Sequence, residues 1–344
     1  MNLASDLRQE LARIIEAITI VSPSAFLFAG QPSSGLAVPM TGLQLDPAAP
    51  PLIAELTNRL YQSCFTQRFT GRIETAEPAL ENDVAWMEAL SHANQSRERW
   101  EDGWQTLQSM PNGQVIARRG AITRMLAPGE FVNLSGSGMM LPPGAAVRVY
   151  VARESRAVQP GYYFAFGESL ADSSDESSVV RFYWNVSAEG AVELLQLLSA
   201  ALNRWQTPFR FKTGAHPAML ARCDGAVLYV PRRCAPLVYQ LAHDIRSRMG
   251  RFLRPHVPLF TLRLCDGLAF ADDPGTSESF GMSRCRMLAQ GLWNANQEGA
   301  QSVQERLSTV ERQFQSEGIA FERPWLTPGL SDDLGFTAAA GEAA

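Results

Sequence analysis

The alternation of apolar and polar residues is sharpest in the second half of the chain. Over 179–186 it places Val180, Phe182, Trp184 and Val186 on one face of a strand and Arg181, Tyr183 and Asn185 on the other. Ser187 then stands where a helix cap is needed, and Ala191, Leu194, Leu195, Leu198 and Leu202 follow at helical spacing. Segments 209–213 and 226–230 read as strands, 236–252 as a helix and 259–264 as another strand. A loop rich in Gly, Asp, Pro and Ser spans 265–281, and helices are expected at about 282–297 and 300–317.

The first half is less regular. Helices are predicted over 5–20, 51–66 and 80–108, β structure over 113–151, and an acidic loop over 171–178. Strands and helices mix without a βαβ rhythm, so the fold class is α+β: a mixed, mainly antiparallel sheet flanked by helices, with a helical N-terminal part. The expected division is a mainly helical region over 1–110, an α+β catalytic domain over 111–320, and a flexible tail over 321–344.

Composition narrows the partners. Hydrophobic residues make up 46% of the 344 and charged residues 19%, which is ample for a globular core. A net charge of −5 argues against nucleic acid or an anionic membrane as partner. The N-terminus carries acids among its apolar residues and does not read as a signal peptide, nor is any run long enough to span a membrane. Five dispersed cysteines without a CxxC pair suit reduced thiols in a cytosol, and no metal-ligand spacing or cofactor motif is legible.

Of the 30 Lys and Arg residues, a single one is lysine, Lys212. Guanidinium keeps its proton at any usable pH, whereas an ammonium can lose one when burial or neighbouring cations lower its pKa. In 209–213, Phe209 and Phe211 oppose Arg210 and Lys212; in 259–264, Phe260, Leu262 and Leu264 oppose Thr261 and Arg263. If these strands share a sheet with 179–186, its polar face carries Arg181, Arg210, Lys212 and Arg263 beside Tyr183 and Asn185, with no acid in that set. Such a face reads as an anion site, or else as a solvated face whose acids come from other strands and loops. A second anion-binding element is the Ser277–Arg284 stretch, a small-residue loop entering a helix with Ser279 and Arg284 beside its free N–H groups.

A phosphate pocket of arginines with one lysine permits several reactions. Phosphoryl transfer needs a metal-binding acid pair and a nucleotide loop, and metal-free hydrolysis needs a nucleophile. Elimination needs less: a base for a proton α to a carbonyl, cations for the leaving phosphate, and an acid. Lys212 fits the base, and Tyr183 or His216 the acid, although His-Pro in a loop also has a structural reading. Asp224 reads as a local ion pair or turn cap.

RFYWN at 181–185, ALNRWQTPFRFK at 201–212, RCDGAVLYV at 222–230, PLFTLRL at 258–264 and DDPGTSESFGMSRCR at 272–286 resemble the HopA-type effector family, as do LSHANQSRERWEDGW at 90–104 and PGYYFAFGE at 160–168. That family includes secreted effectors of plant pathogens and stand-alone proteins encoded beside kinases in lanthipeptide pathways. For the latter the resemblance implies a phosphoserine/phosphothreonine lyase that turns a phosphorylated precursor peptide into its dehydroalanine or dehydrobutyrine form. A partner kinase is then implied, and a cytoplasmic location. The resemblance makes Lys212 the base and Arg181, Arg222, Arg263 and Arg284 the phosphate clamps. Related phosphothreonine lyases set Lys and His two residues apart; position 214 here is Gly, so their acid does not carry over. The rival expectation is a non-catalytic effector or adaptor that holds a phosphorylated protein, secreted into a host.

Overall fold

One row of side chains shows how the sequence builds the central sheet. Leu262, Phe270, Phe182, Leu228, Phe211 and Ala165 face one another across six neighbouring strands, each almost wholly excluded from water. Residues opposite one another in antiparallel strands share a face. The polar residues that alternate with this row must therefore lie together on the other face.

The computed structural model describes residues 3–35, 49–73, 80–136, 140–330 and 333–336. The N-terminal part holds helix α1 (Leu3–Glu16), a small sheet of β1 (Ile18–Ser22), β2 (Ala25–Phe28) and β3 (Gln31–Pro32), then α2 (Leu52–Leu60), a π-helical turn Tyr61–Phe65, and α3 (Val84–Ala93). A second sheet follows, from β4 (Arg99–Ser109), β5 (Val115–Arg119), β6 (Ile122–Leu126), β7 (Phe131–Asn133) and β8 (Ala146–Val151), in the order β6-β5-β4-β8-β7. It has its own core around Trp104, Val115, Ala117, Val147 and Val149. The expected boundary at residue 110 falls inside this sheet, between the paired β4 and β5.

The rest of the chain supplies β9 (Glu154–Ser155), β10 (Tyr162–Phe166), α4 (Ser173–Ser177), β11 (Val179–Trp184), α5 (Ala188–Arg204), β12 (Arg210–Gly214), β13 (Ala226–Pro231), α6 (Ala235–Met249), β14 (Leu262–Cys265), β15 (Leu268–Asp272), α7 (Phe280–Gln297) and α8 (Val303–Ser316). These strands form a seven-stranded, wholly antiparallel sheet in the order β14-β15-β11-β13-β12-β10-β9. The fold is α+β, as the pattern predicts. Among the described residues no helix is long and apolar enough to cross a membrane.

Several predicted boundaries shift for local reasons. The 5–20 helix ends at Glu16 because the β-branched run beyond it pairs as β1 with β2. The 80–108 helix ends at Ala93, where Asn94 is extended and its amide donates to the Arg153 carbonyl at 2.9 Å. Beyond it, β4 turns Trp104 and Thr106 into a core. The 171–178 loop contains the short helix α4, capped by Asp172. In 259–264 Phe260 adopts φ 69°, so the strand begins only at Leu262. The expected 321–344 tail carries Phe321, Trp325, Leu326 and Phe336 buried in the main core, Phe336 against Phe182, Phe270 and Tyr239; residues 337–344 lie outside the described residues.

Candidate active site

Two rows of side chains define the polar face. In the first, Ala271, Arg181, Tyr229, Arg210 and Phe166 lie opposite one another on β15, β11, β13, β12 and β10; in the second, Ala269, Tyr183, Val227, Lys212 and Phe164 do so. The three strands read as polar-faced thus share one sheet, and Arg181, Arg210 and Lys212 share a face. The guanidinium carbons of Arg181 and Arg210 lie 5.2 and 4.6 Å from the centre of the Tyr229 ring between them. Stacking on one ring holds two like charges in neighbouring positions.

Lys212 is half-buried. Its ammonium lies 3.8 Å from the centre of the Tyr162 ring and donates to Gln159 Oε1 at 2.8 Å. Burial lowers its pKa to about 8; Asp224 opposes that shift, while Arg181, Arg222 and Arg210 reinforce it. An appreciable fraction of neutral amine is then present near neutral pH.

The face is not free of acids, contrary to the reading of its strands alone. Arg181 donates from Nε and Nη2 to Asp273 Oδ2 at 2.8 and 2.7 Å. Arg222 grips Asp224 with two hydrogen bonds, at 2.8 and 2.9 Å. Tyr61, reaching over from the N-terminal part, donates to Asp224 Oδ2 at 3.0 Å and accepts from Arg222 Nη2 at 2.9 Å. Burial works against the charge on Asp224, but Arg222, then Tyr61 and Lys212, hold its carboxyl below the ordinary carboxylate range. Arg210 is exposed and pairs with no carboxylate among the described residues.

Five expected site residues lie elsewhere or have other employment. Arg263 sits on the far edge strand β14, four strand steps (roughly 19 Å) from Lys212, paired with Asp266. Arg284 is 2% exposed and donates to the carbonyls of Pro324 and Leu326 at 2.7 and 2.9 Å, which fastens the 324–326 segment to α7. Burial lowers its pKa to about 10. Ser279 caps α7 by accepting from the Met282 N–H, beside Glu278, which is buried against Arg286. The Asn185 amide donates to the His256 carbonyl at 2.9 Å, a loop-fixing role. His216 Nδ1 accepts from the Ala218 N–H at 3.1 Å and caps the short helical turn Pro217–Ala221.

Tyr183 is 3% exposed between Phe65 and Phe280, and its hydroxyl makes no well-formed hydrogen bond among the described residues. Burial raises its pKa. It shares a row with Lys212 but lies two strands away, roughly 10 Å, with Val227 between them. The residues that strand alternation missed are Tyr61, Gln159, Tyr162 and Tyr229. Tyr229 was within reach of that reasoning, since its parity on β13 matches Arg210 on β12. Among the described residues no group of three or more His, Cys, Asp or Glu is placed to hold a metal ion.

The cation cluster, Tyr61 apart, falls within the stretch 153–326 that matches the HopA1 effector protein family model. Solved structures similar to the chain include two effector proteins. The effector protein from Pseudomonas syringae pv. tomato strain DC3000 matches at 19% identity, over 50% of this chain and 66% of that chain, just under two thirds of its length, with a TM-score of 0.39. The effector protein from Pseudomonas syringae pv. syringae strain 61 matches at 13% identity over 79% of this chain and 88% of that one, with a TM-score of 0.43. No curated protein sequence matches the chain.

Proposed function

This chain belongs to the HopA1 effector protein family, and from that premise we propose that it is a phosphoserine/phosphothreonine lyase acting on a phosphorylated precursor peptide. The observation that carries the proposal is the placement of the chain's one lysine. Lys212 is half-buried, lies among Arg181, Arg210 and Arg222, and has a pKa lowered to about 8. Arginine in its place would keep the charge and lose the titration.

In the proposed reaction the neutral Lys212 amine takes the Cα proton of the phosphorylated residue and becomes ammonium. The C–H electron pair becomes the Cα=Cβ bond, and the Cβ–O bond breaks with its electrons leaving on phosphate. Arg210, the arginine of this cluster with no carboxylate partner among the described residues, meets the leaving phosphate first. Arg222 and Arg181 add charge from behind their pairs with Asp224 and Asp273. The leaving oxygen takes one proton. Tyr183 is sealed behind Phe65 and Phe280, and His216 Nδ1 is taken up by the Ala218 N–H, so we assign that proton to solvent water at the exposed Arg210 side. The product is dehydroalanine or dehydrobutyrine, and a kinase must supply the substrate.

The rival is a non-catalytic effector or adaptor that holds a phosphorylated partner. It is favoured by one observation: Arg181 and Arg222 are already neutralised by Asp273 and Asp224, a balance suited to reversible binding. Replacing Lys212 by Arg separates the two. A lyase loses phosphate release from a phosphothreonine peptide while still binding it; a binder keeps its affinity and never released phosphate at all.

A further inference from the structure

A groove of about 750 Å³ opens beside the cation cluster, walled on one side by the five-stranded sheet and on the other by the ends of β10, β12 and β13. Arg210 and Tyr229 belong both to its lining and to the polar face that carries Lys212. Lys212 follows Arg210 by two residues along the same strand face, about 7 Å further on. A residue bound at Lys212 therefore has its chain neighbours, two or three positions away, at the mouth of the groove.

We infer that this groove binds the stretch of peptide flanking the phosphorylated residue and selects basic and apolar side chains there. The inference rests on the lyase reading for the identity of its occupant. Met125 and Val158, 61% and 58% exposed, line it, an arrangement that leaves apolar surface open for a partner. Glu130 and Glu176 also line it, both exposed and neither paired with a cation among the described residues. The other acids of the groove are already engaged: Asp175 by Arg233, and Glu154 by the Tyr163 hydroxyl with Arg153 and Arg156 nearby. The charge at the groove that no ion pair takes up among the described residues is mixed, Glu130 and Glu176 with Arg124 on the lining and Arg210 at the phosphate side. An occupant with a phosphate at one end and a Lys or Arg beside an apolar residue a few positions away matches both signs. It also reconciles a chain of net charge −5 with a phosphopeptide substrate.

The test uses the full chain carrying Lys212→Arg, which binds without turnover, and fluorescein-labelled phosphothreonine peptides read by anisotropy. Peptides with Arg-Leu two to four residues from the phosphothreonine should bind about tenfold tighter than the same peptides with Glu-Leu. Adding Glu130→Arg and Glu176→Arg should reverse that order. Val158→Glu, a single exposed change, should weaken every peptide with an apolar flank. A preference below about twofold, or one that the charge reversal leaves in place, overturns the groove. So does failure of every peptide to bind. The lyase reading fails separately, if the wild type binds the Arg-Leu peptide and leaves its phosphate attached. Elimination without flank preference leaves the lyase standing and removes the groove.

Discussion

Lys212 stacks its ammonium on the Tyr162 ring at 3.8 Å while three arginines and burial press it toward the neutral amine. Asp224, the ring and the Gln159 carbonyl oxygen favour the charged form; burial, then Arg181, Arg222 and Arg210, disfavour it. The balance leaves the amine titrating near the pH at which a general base works best.

The pH dependence follows directly. The base must be neutral, so kcat/KM for a phosphothreonine peptide should rise about tenfold per pH unit at low pH and level off above about 8. A steady-state profile flat between about pH 6 and about pH 9 would remove Lys212 from the chemistry.

Asp224 should tune that profile. Its charge supports the Lys212 ammonium, so Asp224→Asn should move the rising limb to lower pH. The same change leaves Arg222 without its carboxylate. Since the Arg222 side chain is 31% exposed, the stability loss should be nearer about 2 kcal/mol than the about 3–5 kcal/mol of a fully buried pair. Tyr61→Phe should cost about 1 kcal/mol and show coupling to Asp224→Asn in a double-mutant cycle by urea denaturation. Additive effects would contradict the shared network.

Arg263 and Arg284 should part company. Arg263→Ala should leave elimination unchanged and alter stability by about 0.5 kcal/mol or less, as for exposed ion pairs. Arg284→Met removes a buried guanidinium from the carbonyls of Pro324 and Leu326. It should lower the melting temperature and speed limited proteolysis around residues 324–330. Phosphopeptide affinity lost in Arg263→Ala would restore it as a clamp.

Gly281 measures how tightly the N-terminal part is seated. A Cβ there would meet the Phe65 ring at 2.5–2.7 Å, and that ring is fully buried against Tyr183 and Phe280. Gly281→Ala should destabilise by about 1–3 kcal/mol, since the rigid ring cannot yield easily. An unchanged melting temperature would mean that the π-helical turn moves freely on α7.

Legibility in the sequence followed locality. Strand β11, the Ser187 cap and the row Phe182, Phe211, Leu262 were readable because period-two alternation and capping depend on neighbours in the chain. The same alternation put Arg181, Arg210 and Lys212 on one face. It also swept in Arg263, because alternation gives the face but says nothing of strand order. Strand β15 lies within the 265–281 stretch whose Gly, Asp, Pro and Ser content reads as loop, although Asp266-Gly267 between apolar runs is a hairpin signal; Gly267, at φ 70°, makes that turn. The Tyr61–Asp224 bond joins residues 163 apart in the chain, and no local pattern encodes it. Arg284 looked like a helix-start anion ligand because its carbonyl partners lie about 40 residues downstream, in a segment whose composition reads as tail.

The most direct measurement is mass spectrometry of a phosphothreonine or phosphoserine peptide with an Arg-Leu flank, incubated with the wild-type chain and with Lys212→Arg in the absence of added metal. Loss of about 98 Da, one H3PO4, with the wild type and not with the variant is the expected result. Loss of about 80 Da would mean hydrolysis, and an untouched native phosphorylated precursor would mean binding without chemistry; either contradicts Lys212 as an elimination base.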